Sequence, residues 1–117
     1  MEKRIGFIGI GLMGFPMAKS LLRNNYKLKA FNRTKEKAEK LKEYGAIIAN
    51  NLIEVVKDSD VIITMLTDDK AVLEVSNNPD FLENLKIDST VIDMSSVKPT
   101  TTLHVHKTLM EKKINYI

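Results

Sequence analysis

Gly9, Gly11 and Gly14 fall within six residues, between an apolar run and a stretch of helical periodicity, in a chain of 117 residues with only five glycines. A strand running into one glycine and a helix opening near another can meet only through a sharp turn. The junction therefore commits this segment to a strand–turn–helix unit. Each glycine has its own physical reason there. Gly9 permits the tight turn, Gly11 keeps the space beside it clear of a Cβ, and Gly14 lets the helix lie close to the strand. N–H groups without helical partners, reinforced by the helix dipole, then offer an anion site that needs no cationic side chain. GxGxxG spacing alone favours a plain turn; its place between a predicted strand and a predicted helix points instead to a bound nucleotide diphosphate.

Short apolar runs and amphipathic stretches alternate along the rest of the chain, the pattern of repeated βαβ units. Residues 4–10 form the first predicted strand. After Gly11, Met13, Met17 and Leu21 at four-residue spacing, with Ala18 and Leu22 beside them, set an apolar stripe to cover a sheet. Pro16 falls in the first helical turn, where a missing N–H costs little. Residues 26–31 read as a second strand and 34–44 as a charged helix, whose Ala38, Leu41 and Tyr44 share a face and which stops at Gly45. Residues 46–49 make a short third strand, and Asn51 with Glu54 has the spacing of a capping box for a helix reaching residue 58.

Residues 61–66, VIITML, are apolar on both faces, as a central parallel strand requires. Asp68 or Asp69 caps a short helix containing Val72, Leu73 and Val75, and SNNPD then interrupts the pattern. Residues 90–94 form the next strand. Pro99 opens a helix running to residue 112, with Leu103, His106 or Lys107, and Met110 on its apolar side, and residues 114–117 begin a sixth strand. Right-handed crossovers assemble these elements into one α/β domain over residues 1–117, a doubly wound parallel sheet of Rossmann type with strand order 3-2-1-4-5-6.

The end of the second strand selects the cofactor. A site for NAD carries Asp or Glu there for the ribose 2′-hydroxyl; this chain has Asn32, Arg33 and Thr34. A guanidinium pairs with a 2′-phosphate, so NADP is favoured over NAD. Lys35 and Lys37 read as helix-surface residues, with added positive potential at the site as their second reading. Other ligand classes find little support. The 18 basic and 15 acidic residues are interspersed, against a nucleic-acid surface. No apolar run approaches the ~20 residues of a membrane helix. With no cysteine, thiolate metal sites are excluded, and His104 and His106, two apart on a helix, do not share a face, so no metal is expected. The absence of a signal-peptide pattern and of cysteine suits a cytoplasmic protein.

GFIGIGLMGFPMAKSL, FNRT, VIITMLTDD and VIDMSSVKPTT, in that order, resemble the N-terminal cofactor domain of the β-hydroxyacid dehydrogenases, the family of 3-hydroxyisobutyrate, tartronate-semialdehyde and 6-phosphogluconate dehydrogenases. The resemblance covers essentially the whole chain, and the GxGxMGxxMA form with Met13, Met17 and Ala18 is far more specific than the bare glycine spacing. It implies that the backbone of Gly9, Ile10, Gly11, Leu12, Met13 and Gly14 cradles the pyrophosphate. Asn32, Arg33 and Thr34 would hold the adenosine ribose and its 2′-phosphate. Met65, Leu66 and Thr67 would line the adenosine and inner ribose, with Val72 closing over that edge. Ser96 corresponds to a cofactor-contacting Thr near the nicotinamide, and Ser95 to a substrate-contacting hydroxyl.

The residues themselves leave a second reading of Ser95 and Ser96, as helix caps ahead of Pro99. Asp93 reads as an acceptor of loop hydrogen bonds rather than a catalytic acid. Three departures weaken assignment within the family: Ser20 where Asn is usual, Ser96 in place of Thr, and SNNPD in place of a Gly-containing loop. Members of the family continue into a segment that binds the substrate carboxylate, a helix carrying the Lys that serves as general acid/base, and a helical substrate and dimerisation domain. These are expected beyond Ile117, so no residue of this chain is assigned a catalytic role. The leading expectation is the NADP-binding half of an oxidoreductase interconverting a small β-hydroxyacid and its semialdehyde or keto form. The alternative is a free-standing dinucleotide-binding sensor or partner subunit without catalysis.

Overall fold

The computed structural model describes residues 3–117. Alternating apolar runs and amphipathic stretches become β1 (Arg4–Ile8), α1 (Gly14–Arg23), β2 (Lys27–Phe31), α2 (Lys35–Glu39) and β3 (Ile47–Ile48) in the first half. The second half holds α3 (Leu52–Val56), β4 (Val61–Thr64), α4 (Asp69–Ser76), α5 (Pro79–Leu82), β5 (Thr90–Asp93), α6 (Pro99–Glu111) and β6 (Asn115–Tyr116). The strands form one sheet in the order β3-β2-β1-β4-β5-β6, every adjacent pair parallel, as the sequence predicts.

Alternation along the strands sorts side chains to the two faces. Ile5, Phe7, Leu28, Ala30 and Ile63 pack with Ala18 of α1 and Ala38 and Leu41 on one face. Ile8, Ile62 and Val91 pack with Val55 and Val56 of α3, Phe81 of α5, and Val105 and Leu109 of α6 on the other. Connections change face between β1 and β4, which sets a crevice at the carboxyl ends of these two strands.

The structure departs from the sequence expectations in four places. β1 ends at Ile8 and α1 opens only at Gly14, so residues 9–13 are all turn. The predicted helix over 34–44 splits into α2 and a 3₁₀ turn at Lys42–Tyr44, closed by Gly45 at φ +101°. α5 is an additional helix: Asn78 accepts from the Asp80 N–H and Pro79 takes the first helical position, a start signal inside the segment read as a break. In α6 the inward stripe is Thr101, Val105 and Leu109, whereas Leu103 and Met110 are 66% and 61% exposed. Thr101 is buried because its hydroxyl donates to Asp69 Oδ2 at 2.6 Å, a bond that also holds the Asp69 carboxyl below its ordinary range.

The capping box at α3 is also modified. Asn51 Oδ1 accepts from the Glu54 N–H at 2.9 Å, but the Glu54 carboxylate reaches back to the N–H of Asn50 rather than that of the cap itself.

Candidate functional site

Beyond the carboxyl ends of β1, β2 and β4 lies a cleft of about 610 Å3. Gly9 and Gly11 line it from the β1–α1 turn, Asn32 and Arg33 from the end of β2, and Met65, Leu66 and Thr67 from the end of β4. The structure thus gathers seven of the residues singled out by sequence around one hollow at the switch point.

The three glycines are required for different reasons. Gly9 has φ +101° and donates its N–H to Phe31 O at 2.9 Å, and a Cβ there would stand 2.2 Å from Met65 O. A Cβ on Gly14 would stand 2.0 Å from Gly9 O, so this glycine brings the first turn of α1 against the loop. A Cβ on Gly11 would meet nothing within 4 Å. No contact among the described residues demands glycine at position 11, and Gly11 lines the cleft. The N–H groups of Gly11, Leu12 and Met13 have no partner among the described residues, and Met13 caps α1 without a side-chain bond. Unused donors at the positive end of a helix beside open space fit a pyrophosphate-bearing dinucleotide.

Asn32 is committed to the protein. Its Oδ1 accepts from the Ile10 N–H and its Nδ2 donates to Thr34 O, both at 2.9 Å, tying the turn after β1 to the turn after β2. Arg33 crosses the cleft, its Nη2 donating to Glu74 Oε2 of α4 at 2.9 Å. Lys37 of α2 and Lys70 of α4 also line the cleft, so Lys37 is more than the helix-surface residue its sequence context implies. Lys70 and Glu74 have no sequence motif to mark them; their four-residue spacing after the Asp68 cap is the signal that puts them on one face.

Other expected site residues do not line the cleft. Ile10 is buried, and its N–H is taken by Asn32 Oδ1 rather than offered to the cleft. Leu12 is 95% exposed and Met13 is exposed beside it. Thr34 is an exposed cap of α2 with no side-chain bond. Val72 does not line the cleft: it packs into the core from the buried face of α4, and Ala71 and Val75 line the cleft instead. Ser96 is exposed and outside the cleft. Ser95 Oγ accepts from the Leu66 N–H at 2.7 Å and so joins the ends of β4 and β5. Neither serine caps α6, whose cap residue is Lys98.

Asp93 is the acceptor of loop hydrogen bonds that the sequence implies. Its Oδ1 accepts from Thr64 Oγ1 at 2.9 Å and the Ser95 N–H at 3.0 Å, and its Oδ2 accepts from the Tyr116 hydroxyl at 3.4 Å. Burial, then the Asp93 charge and hydrogen bond, push the Tyr116 hydroxyl up to about 12. The raised value means that folding favours the protonated phenol. This stabilisation is complete below the ordinary tyrosine range near 10 and is lost as pH rises through about 12. Phenolate absorbance should therefore show Tyr116 titrating above the ordinary tyrosine range. In Asp93→Asn its midpoint should fall without reaching the ordinary value, because burial is the larger cause; an unchanged midpoint would refute the coupling.

Among the described residues no helix is long and apolar enough to cross a membrane, and no group of three His, Cys, Asp or Glu is placed to hold a metal ion. His104 and His106 are both exposed.

Residues 4–117 match the family described as the NAD binding domain of 6-phosphogluconate dehydrogenase. The chain is 38% identical to 2-(hydroxymethyl)glutarate dehydrogenase of Eubacterium barkeri over 100% of its own length and 40% of that protein's. Its fold superposes on 3-hydroxyisobutyrate dehydrogenase of Mycobacterium tuberculosis, solved with L-serine, with TM-score 0.92 at 26% identity, covering 99% of this chain and 39% of that one. The imine reductase of Myxococcus stipitatus in complex with NADP+ gives TM-score 0.89 at 25% identity, covering 97% and 39%. The chain thus spans 31–40% of the length of the curated relatives it matches.

Proposed function

Because this chain belongs to the 6-phosphogluconate dehydrogenase family of NAD-binding domains, the cofactor half of the β-hydroxyacid dehydrogenases, we propose that its cleft binds NADP in preference to NAD. We further propose that it serves an enzyme interconverting a small β-hydroxyacid and its semialdehyde or keto form. The observation that carries the cofactor assignment is the charge at the end of β2. Where an NAD site places a carboxylate, this chain has Asn32, Arg33 and Thr34, and Arg33 lines the cleft with Lys37 and Lys70. A 2′-phosphate would there meet the Arg33 guanidinium in competition with Glu74, its partner at 2.9 Å.

The pyrophosphate is assigned to the unpartnered N–H groups of residues 11–13, and the adenosine to the wall formed by Met65, Leu66 and Thr67. When bound, the dinucleotide supplies or accepts the hydride. The residues of this chain do the holding: Gly9 sets the turn, Asn32 fixes it to the neighbouring loop, and Ser95 ties Leu66 to the end of β5. The substrate class follows from the relatives named for hydroxyacids, of which this chain covers about 40%; substrate binding and proton transfer are assigned to the remainder of such an enzyme.

NADPH should bind at least about tenfold more tightly than NADH, a difference of ~1.4 kcal/mol. Arg33→Ala should cost roughly 1–3 kcal/mol with NADPH, as loss of a charge-assisted contact, and little with NADH. Calorimetric titration with both cofactors checks this, and comparable dissociation constants in the unaltered protein would sink the NADP assignment.

A further inference from the structure

Arg33 is not idle in the cleft. It stands just past β2, and its partner Glu74 lies on α4, so the 2.9 Å pair joins the two halves of the sheet across the mouth of the site. The other charged groups on the lining are Lys37, Lys70 and Asp68. Asp68 is occupied as the cap of α4, accepting from the Ala71 N–H at 2.9 Å. Glu74 is therefore the one carboxylate of the cleft with no backbone partner among the described residues, and it is set on the guanidinium that a 2′-phosphate would need.

A phosphate and Glu74 compete for the same Arg33 donors, whereas a 2′-hydroxyl carries no charge with which to compete. The pair is exposed, 84% at Arg33 and 46% at Glu74, so its hold is weak enough for a ligand to break. We propose that Glu74 is a positioning residue that sets cofactor selectivity: by engaging Arg33 it reduces the advantage of a 2′-phosphorylated dinucleotide over the unphosphorylated one. The proposal rests on the dinucleotide reading of the cleft. In it, Arg33 provides the preference for phosphate and Glu74 limits its size.

The test is calorimetric titration of the unaltered chain, Glu74→Gln, Arg33→Ala and the double variant with NADPH, NADH and 2′-AMP. Glu74→Gln should tighten NADPH and 2′-AMP about fivefold, equivalent to about 1 kcal/mol, and leave NADH within about twofold. In the Arg33→Ala background the same change should alter NADPH binding by less than about twofold, since the effect passes through Arg33. A Glu74→Gln effect equal for both dinucleotides, a weaker NADPH complex, or a fivefold gain persisting without Arg33 would each overturn the role of Glu74. If the unaltered chain binds neither dinucleotide, the proposed function itself fails. If it binds both and Glu74→Gln leaves their ratio unchanged, only the selectivity role fails.

Discussion

Replacing Gly9 by Ala should destabilise this protein by about 2–6 kcal/mol, lowering its melting temperature by roughly 15 °C. Two costs combine. A side chain at φ +101° lies outside the backbone conformations that L residues readily adopt, which accounts for about 1–3 kcal/mol. The new Cβ would also stand 2.2 Å from Met65 O, a backbone atom that cannot move without shifting the end of β4. Forced repacking of this kind adds about 1–3 kcal/mol.

Gly14→Ala makes the sharper test of sign. Gly14 opens α1, and helix propensity alone favours Ala by up to about 1 kcal/mol. The Cβ would lie 2.0 Å from Gly9 O, so the contact outweighs the propensity and the variant should be less stable than the parent. Chemical denaturation of both variants measures the differences. A Gly14→Ala protein as stable as its parent would show that α1 can slide away from the loop.

The glycine turn, the strands and Arg33 at the end of β2 were readable from sequence because each depends on local chemistry, and the strand order followed from the handedness of the crossovers. Turn geometry, alternation and the residue ending a strand are properties of a few neighbouring positions. Other features depend on partners far along the chain. The face of α6 is one such case. Leu103 and Met110 are apolar at helical spacing, yet the buried stripe runs through Thr101, whose hydroxyl is satisfied by Asp69, 32 residues away. Binary patterning counts a Thr as polar and so selects the wrong face.

Ser95 poses the same difficulty within the site: its hydroxyl is engaged by the Leu66 N–H, 29 residues distant. Arg33 was identifiable as a candidate phosphate contact, but Glu74 was not identifiable as its partner, since 41 residues and two strands separate them. The helix α5 differs, because Asn78 and Pro79 are an ordinary start signal that the reading of SNNPD as a break overlooked.

Gly11→Ala should separate folding from binding. A Cβ at this position meets nothing within 4 Å, and the residue does not occupy the left-handed region, so stability should stay within about 0.5 kcal/mol of the parent. Replacing glycine even narrows the unfolded ensemble slightly, which works in the variant's favour. The Cβ would instead enter the space beside the unpartnered N–H groups of Leu12 and Met13, where the pyrophosphate is assigned. Displacing it should weaken NADPH and NADH alike by roughly 100-fold, about 3 kcal/mol, because both carry the same diphosphate. This distinguishes the position from Arg33, whose loss should discriminate between the two cofactors. Ligand-induced thermal shifts measure the effect independently of turnover: the parent should gain stability as RT ln(1 + [L]/Kd) while Gly11→Ala gains almost none at the same concentration. If the variant bound both cofactors as the parent does, the open space at Gly11 would not be the pyrophosphate site, and the free N–H groups beside it would need another ligand.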